Sequence, residues 1–190
     1  MKVNILWTGV EYYSLENCVL TTTNSGSEAN SVIIGLYDDK IYRFEYQIKA
    51  DKNWNTTFVQ IKSQFDDIKT SITFQSDLKG NWIVDGKHAE LFNGCTDIDI
   101  SLTPFTNTLP INRLKLAKTQ KCQIKVIYFN LLKQEIIAVS QSYSVISKDE
   151  YKYENVPNDF EAVLKVDDLG LVIDYPGLFI RTEKKVSDYH

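Results

Sequence analysis

"NGCTDIDISLTPFTNTLPINRLKL", residues 93–116, decides how the rest of the chain is read. It opens with Asp97, Ile98, Asp99 and Ile100 in alternation, the period of a strand whose two faces differ. It then breaks at Pro104, Asn107 and Pro110 and ends in a basic, leucine-spaced segment. The order is that of a strand handing the chain to a short helix. Pro110 suits a first helical turn, where its missing N–H is no loss, with Asn107 or Thr108 as N-cap. Leu109, Leu114 and Leu116 then form a weak apolar face. Arg113, Lys115 and Lys118 lie toward the end that favours positive charge. A helix this short is marginal in water, so packing against a sheet must hold it.

Outward from this segment, period two dominates. Tyr42, Phe44, Tyr46 and Ile48 share one face of "KIYRFEYQIKA", and Arg43, Glu45, Gln47 and Lys49 share the other. The same alternation recurs with Cys122, Ile124, Val126 and Tyr128. It returns with Ile137, Val139, Gln141, Tyr143 and Val145, and again with Phe160, Ala162, Leu164 and Val166. Asp38-Asp39, Lys79-Gly80, Asp85-Gly86, Asn93-Gly94, Asp168-Leu169-Gly170 and Pro176-Gly177 punctuate these runs as turns. Thr21 to Ser31 is small and polar and reads as a mobile surface loop. The pattern predicts a mainly β, α+β chain: one long antiparallel meander with a single helix, forming one domain over residues 1–190.

The 190 residues are 43% hydrophobic and 24% charged, an ordinary globular balance that needs no disulfides. A net charge of −4 argues against nucleic acid as a partner, since phosphate recognition needs clustered Lys and Arg. Three separated cysteines and two histidines make no zinc pattern, and no cofactor motif occurs. No apolar run approaches the roughly 18 residues needed to span a bilayer, and no leader pattern is evident. These readings place the chain in the cytoplasm with reduced thiols.

Asp97 and Asp99 sit two apart on a strand and so share a face. A pair at that spacing could serve glycoside hydrolysis. The simpler reading makes one of them a brace for the strand-to-helix corner through Arg113. Trp54 and Trp82 offer flat faces for sugar stacking, yet large aromatics more often fill a β core. Tyr143, Tyr151, Tyr153 and Tyr175 carry the same two readings. His88 and His190 stand apart from any nucleophile motif. Cys95, in a tight segment, reads as buried and inert. "DIDIS" with Asp167 and Asp168 makes only a weak case for a cation site.

Taken together, Gly94-Cys95-Thr96-Asp97-Ile98-Asp99 and Thr103-Pro104-Phe105-Thr106-Asn107-Thr108-Leu109-Pro110-Ile111-Asn112-Arg113-Leu114 resemble the central signature of the putative glycolipid-binding family. Gly80-Asn81-Trp82, Gln141-Ser142-Tyr143, Val166-Asp167, Gly170-Leu171-Val172 and Asp174-Tyr175-Pro176-Gly177-Leu178-Phe179 follow in matching order. The chain departs from the family where Asn112 replaces a basic residue, and where "NTT" after Trp54 lacks an arginine. The resemblance implies a spiral β-roll, a long sheet curled around one helix. It also implies a non-enzymatic lipid or glycolipid binder. An apolar ligand would lie in the concave side, with Trp54, Trp82, Asp97, Asp99, Arg113, Tyr143 and Tyr175 as candidate contacts. A carboxylate-dependent hydrolase using Asp97 and Asp99 is the rival from the enzyme class. A protein-binding β domain with an exposed apolar patch is the third reading. The alternation fits a hollow roll and a packed one alike, and a monomer and an oligomer alike.

Overall fold

The alternating runs become strands of one sheet in the structure, a computed structural model that describes residues 1–65 and 67–187. His190 lies outside the described residues. The first half of the chain forms β1 (Lys2–Gly9), β2 (Ser14–Thr23), β3 (Gly26–Tyr37), β4 (Lys40–Asp51), β5 (Thr56–Phe65), β6 (Ile68–Ser76), β7 (Trp82–Val84) and β8 (Lys87–His88). A 3-10 turn at Glu90–Phe92 leads to β9 (Asp97–Ile100) and the helix α1 (Phe105–Leu114). The second half forms β10 (Lys121–Asn130), β11 (Glu135–Val145), β12 (Glu150–Val156), β13 (Glu161–Val166), β14 (Val172–Tyr175) and β15 (Phe179–Ser187).

The chain starts in the middle of the sheet and steps outward, strand by strand, to β8. It then crosses to the opposite edge and steps back until β15 pairs with β1. Neighbours are antiparallel except β9, which runs parallel to β10 with Asp99 opposite Tyr128. The sheet curls without closing, and its β9–β10 end winds inside the curl. Ile98, Ile100, Ile127 and Phe129 pack into one apolar cluster with the inner face of β1 to β7. Ile124 and Val126, on the other face of β10, pack into a second cluster with β11 to β15. The helix straddles both, with Phe105 and Leu109 in the first and Ile111 in the second. Aromatic contacts tie the layers: Phe74 meets Phe129 edge-on at 5.0 Å, and Tyr46 stacks on Phe105 at 6.1 Å. The middle of the roll is therefore filled.

Most turn chemistry follows the sequence. Asp38 and Asp39 (φ 51° and 58°) and Asp85 and Gly86 (φ 45° and 79°) take the paired positive φ of two-residue hairpins. Two expectations are corrected. Thr21 to Ser31 is a tight hairpin between β2 and β3. Its small residues Ser27, Ala29 and Ser31 face inward, where larger side chains of neighbouring strands take the space. The helix begins at Phe105, so Asn107 and Thr108 lie inside it and Pro110 is its sixth residue. Thr103 Oγ1 accepts from the Phe105 N–H at 3.0 Å instead. Pro110 removes one helical hydrogen bond, and burial of every residue from Phe105 to Ile111 outweighs that loss.

Gly35 shows how tightly the inner face is packed. It pairs across strands with Tyr42, whose ring crosses it, and a Cβ there would lie 2.4 Å from the Tyr42 hydroxyl oxygen. Gly35→Ala should lower stability by about 1–3 kcal/mol through overpacking. Thermal melting is the measurement, and an unchanged midpoint would show that Tyr42 can step aside.

Candidate functional site

Period two on β9 sends Asp97 and Asp99 to the helix side of the strand, and their fates then diverge. Asp97 is fully buried and accepts a forked pair from Arg113, Nε to Oδ1 at 3.1 Å and an Nη to Oδ2 at 2.5 Å. Thr96 adds a third hydrogen bond at 2.8 Å. Strand and helix are thus locked at the corner. Asp99 accepts from Gln141 Nε2 at 2.6 Å and Thr106 Oγ1 at 3.1 Å, and no cation pairs with it among the described residues. Burial pushes its carboxyl above the usual range, against those two hydrogen bonds.

Asp99 lies on the floor of a cavity of about 470 Å³, within the range of about 300–1,000 Å³ usual for small-molecule sites. The floor is polar, with Thr103 and Asn107 beside Asp99 and Gln141. Tyr12, Tyr128, Tyr153, Tyr175 and Phe179 line it as aromatic walls. Tyr153 and Tyr175 meet edge-on at 6.2 Å, and Tyr175 meets Phe179 at 6.1 Å. At the mouth, Ile137, Val156 and Phe160 are exposed apolar residues. Burial and the nearby Asp99 charge push the Tyr12, Tyr153 and Tyr175 hydroxyls up, and bring Tyr128 to about 12. All four are neutral phenols at physiological pH.

Of the residues singled out from sequence, Asp99, Tyr153 and Tyr175 line this cavity. Tyr143 stands behind it, buried, donating its hydroxyl to Asn107 Oδ1 at 2.8 Å. Trp82 is fully buried, and its indole N–H donates to the Cys95 carbonyl at 2.9 Å. Trp54 sits at φ 66° in the turn after β4, partly buried against the first apolar cluster. Asp97 and Arg113 form the brace and do not line the cavity. Cys95 is buried, which pushes its thiol up to about 11. His88 is exposed on β8. Tyr12, Tyr128 and Asn107 join the site through non-local pairing. Tyr128 reaches Asp99 only because β10 lies parallel to β9, and strand alternation cannot foretell that. Other signature residues build supports. Asp167 accepts from Arg181 at 2.5 Å and Lys184 at 2.7 Å, and Asn112 donates to the Leu169 carbonyl at 2.9 Å beside Gly170.

A second carboxylate lies deeper. Glu16 on β2 is buried, and its Oε1 accepts from Ser31 at 2.7 Å, Tyr46 at 2.7 Å and Thr103 at 2.9 Å. Its Oε2 has no partner among the described residues. Desolvation pushes the carboxyl up to about 7, against three hydrogen bonds that favour the anion. Among the described residues no group of three or more His, Cys, Asp or Glu could hold a metal ion, and no helix is long and apolar enough to cross a membrane.

A family model described as "Putative glycolipid-binding" matches residues 4–181. The crystal structure of a DUF1089 family protein from Pseudomonas aeruginosa is similar, with a TM-score of 0.81 and 34% identity over 88% of this chain and 91% of that one. A beta-barrel-like protein of domain of unknown function DUF1849 from Brucella abortus has a TM-score of 0.58 over 98% of both chains. At 9% identity that likeness concerns the fold alone. No curated protein matches the chain.

Proposed function

The chain belongs to the putative glycolipid-binding family, and from that premise we propose that it is a non-enzymatic binder which holds a glycolipid on the concave side of its curled sheet, head group inward. The observation that carries this reading is the cavity's grading from buried Thr103, Asn107 and Gln141, past aromatic walls, to a mouth where Ile137, Val156 and Phe160 are exposed beside Glu11 and Asp159. Sugar hydroxyls find Asp99, Gln141 and Asn107 below, while the apolar faces of the ring rest on tyrosines. Acyl chains run outward over Ile137, Val156 and Phe160, because the helix already fills the interior. Each CH₂ covered at that mouth adds at most about 0.8 kcal/mol. The sequence-based expectation put an apolar ligand in the concave side; the packed core favours the head group inward and the acyl chains outward. Three free cysteines, two of them buried, fit a cytoplasmic setting. Hydrolysis by paired carboxylates gains no support, since Asp99 lines the cavity and Asp97 does not.

Vesicle flotation tests the reading. Phosphatidylcholine vesicles carrying glucosyl- or glucosaminyl-diacylglycerol should retain the protein, and plain vesicles should not. Gln141→Ala with Tyr175→Ala should lower retention at least tenfold. Equal retention on plain vesicles, or none on either glycolipid, would overturn it.

A further inference from the structure

The cavity's charge is one-sided. Glu11, Asp99 and Asp159 line it, and among the described residues no Lys, Arg or His does, although the chain holds 21 Lys and Arg. None of the three carboxylates makes an ion pair among the described residues. The other buried acid on this side of β9, Asp97, has Arg113 to itself. An anionic head group such as a phosphate or sulfate would therefore meet three negative charges and no counter-charge. A second observation is independent of the acids. Tyr153 and Tyr175 line the cavity at 7% and 6% exposure, and neither hydroxyl has a hydrogen-bond partner among the described residues. Both side chains are more than nine-tenths buried, and their hydroxyls open to the cavity with no protein partner among the described residues, so a ligand's polar atoms can take them. Aromatic faces beside carboxylates form the environment that attracts an ammonium, through the ring quadrupole and through direct charge.

We propose that the head group held in this cavity carries a protonated amine, as an amino sugar does, with the ammonium on Asp99 and the ring hydroxyls on Tyr153 and Tyr175. This rests on the head-group-inward reading and narrows it. The ammonium supplies the missing counter-charge on the floor. Glu11 and Asp159 draw the cation in from the exposed mouth.

Calorimetric titration with three probes tests it: n-octyl glucosaminide, n-octyl glucoside and choline. The first two differ by an ammonium in place of one hydroxyl. The glucosaminide should bind at least tenfold more tightly than the glucoside. Asp99→Asn should weaken glucosaminide binding far more than glucoside binding and so erase that difference. Glu11→Gln, an exposed change that leaves the interior intact, should reduce the preference by a smaller factor. Equal affinity for the two glycosides would overturn the amine and leave the head-group reading standing. No binding of either would overturn both. A preference that survives in Asp99→Asn would refute the assignment to Asp99, and choline matching the glucosaminide would refute an amino sugar.

Discussion

Replacing Arg113 with alanine will destabilise the protein by about 3–5 kcal/mol, the largest loss expected from any single polar change in the chain. The cause is what stays behind. Asp97 has no exposed side-chain surface, and the forked hydrogen bonds from Arg113 are its main compensation. Removing the guanidinium leaves a carboxylate out of water with one hydroxyl for company. Lysine restores charge without the fork, so Arg113→Lys should recover only part of the loss. Urea unfolding of the three proteins measures this. A loss below about 1 kcal/mol would mark the pair as no better than a surface bridge.

The second large effect depends on pH and comes from Glu16. Its carboxyl is raised from 4.5 to about 7 on folding, so the folded state binds more protons than the unfolded state between those values. The contribution of Glu16 to stability is then fully present below pH 4.5 and is lost as pH rises through about 7. At 1.36 kcal/mol per unit the total is about 3 kcal/mol. Glu16→Gln keeps an oxygen for Ser31, Tyr46 and Thr103 but cannot ionise. The stability difference between wild type and this variant should change by about 3 kcal/mol from pH 4.5 to pH 8, in the variant's favour at the alkaline end. Other titrating groups cancel in that difference. A difference flat with pH would show that Glu16 keeps an ordinary carboxyl despite its burial.

These two acids also show where sequence is informative and where it stops. A brace between Arg113 and one of Asp97 and Asp99 was legible because all three lie between residues 93 and 116, joined by a strand-to-helix corner; that Asp97 takes it was not. Strand faces were legible too: Tyr42, Phe44, Tyr46 and Ile48 are all buried, as alternation requires. Glu16 was not, since its alternation with Leu15 and Asn17 reads as a solvent-facing charge. Its donors come from β3, β4 and the segment before the helix, brought together only by the curl of the sheet. The cavity was half legible. Asp99 and Tyr175 stood out as residue types, whereas Tyr12 and Tyr128 enter through the β15–β1 closure and the parallel β9–β10 pair. The Thr21–Ser31 hairpin was misread because small polar residues look alike in a loop and on a crowded inner face. What sets the two apart is the partner strand, which local composition does not contain.

The inward winding of β9 and β10 bears on solubility as much as on binding. A sheet that does not close has two rims of unpaired amide and carbonyl groups, each a template for adding another chain. Here one rim is rolled into the interior beside the helix, and the other ends in β8, a strand of two exposed residues, Lys87 and His88. The rolled-in rim offers no accessible border on which fibrils grow; at the other end β7 covers only Phe74–Ser76 of β6, so among the described residues Ile68–Ile72 is the stretch of this sheet left open to strand addition.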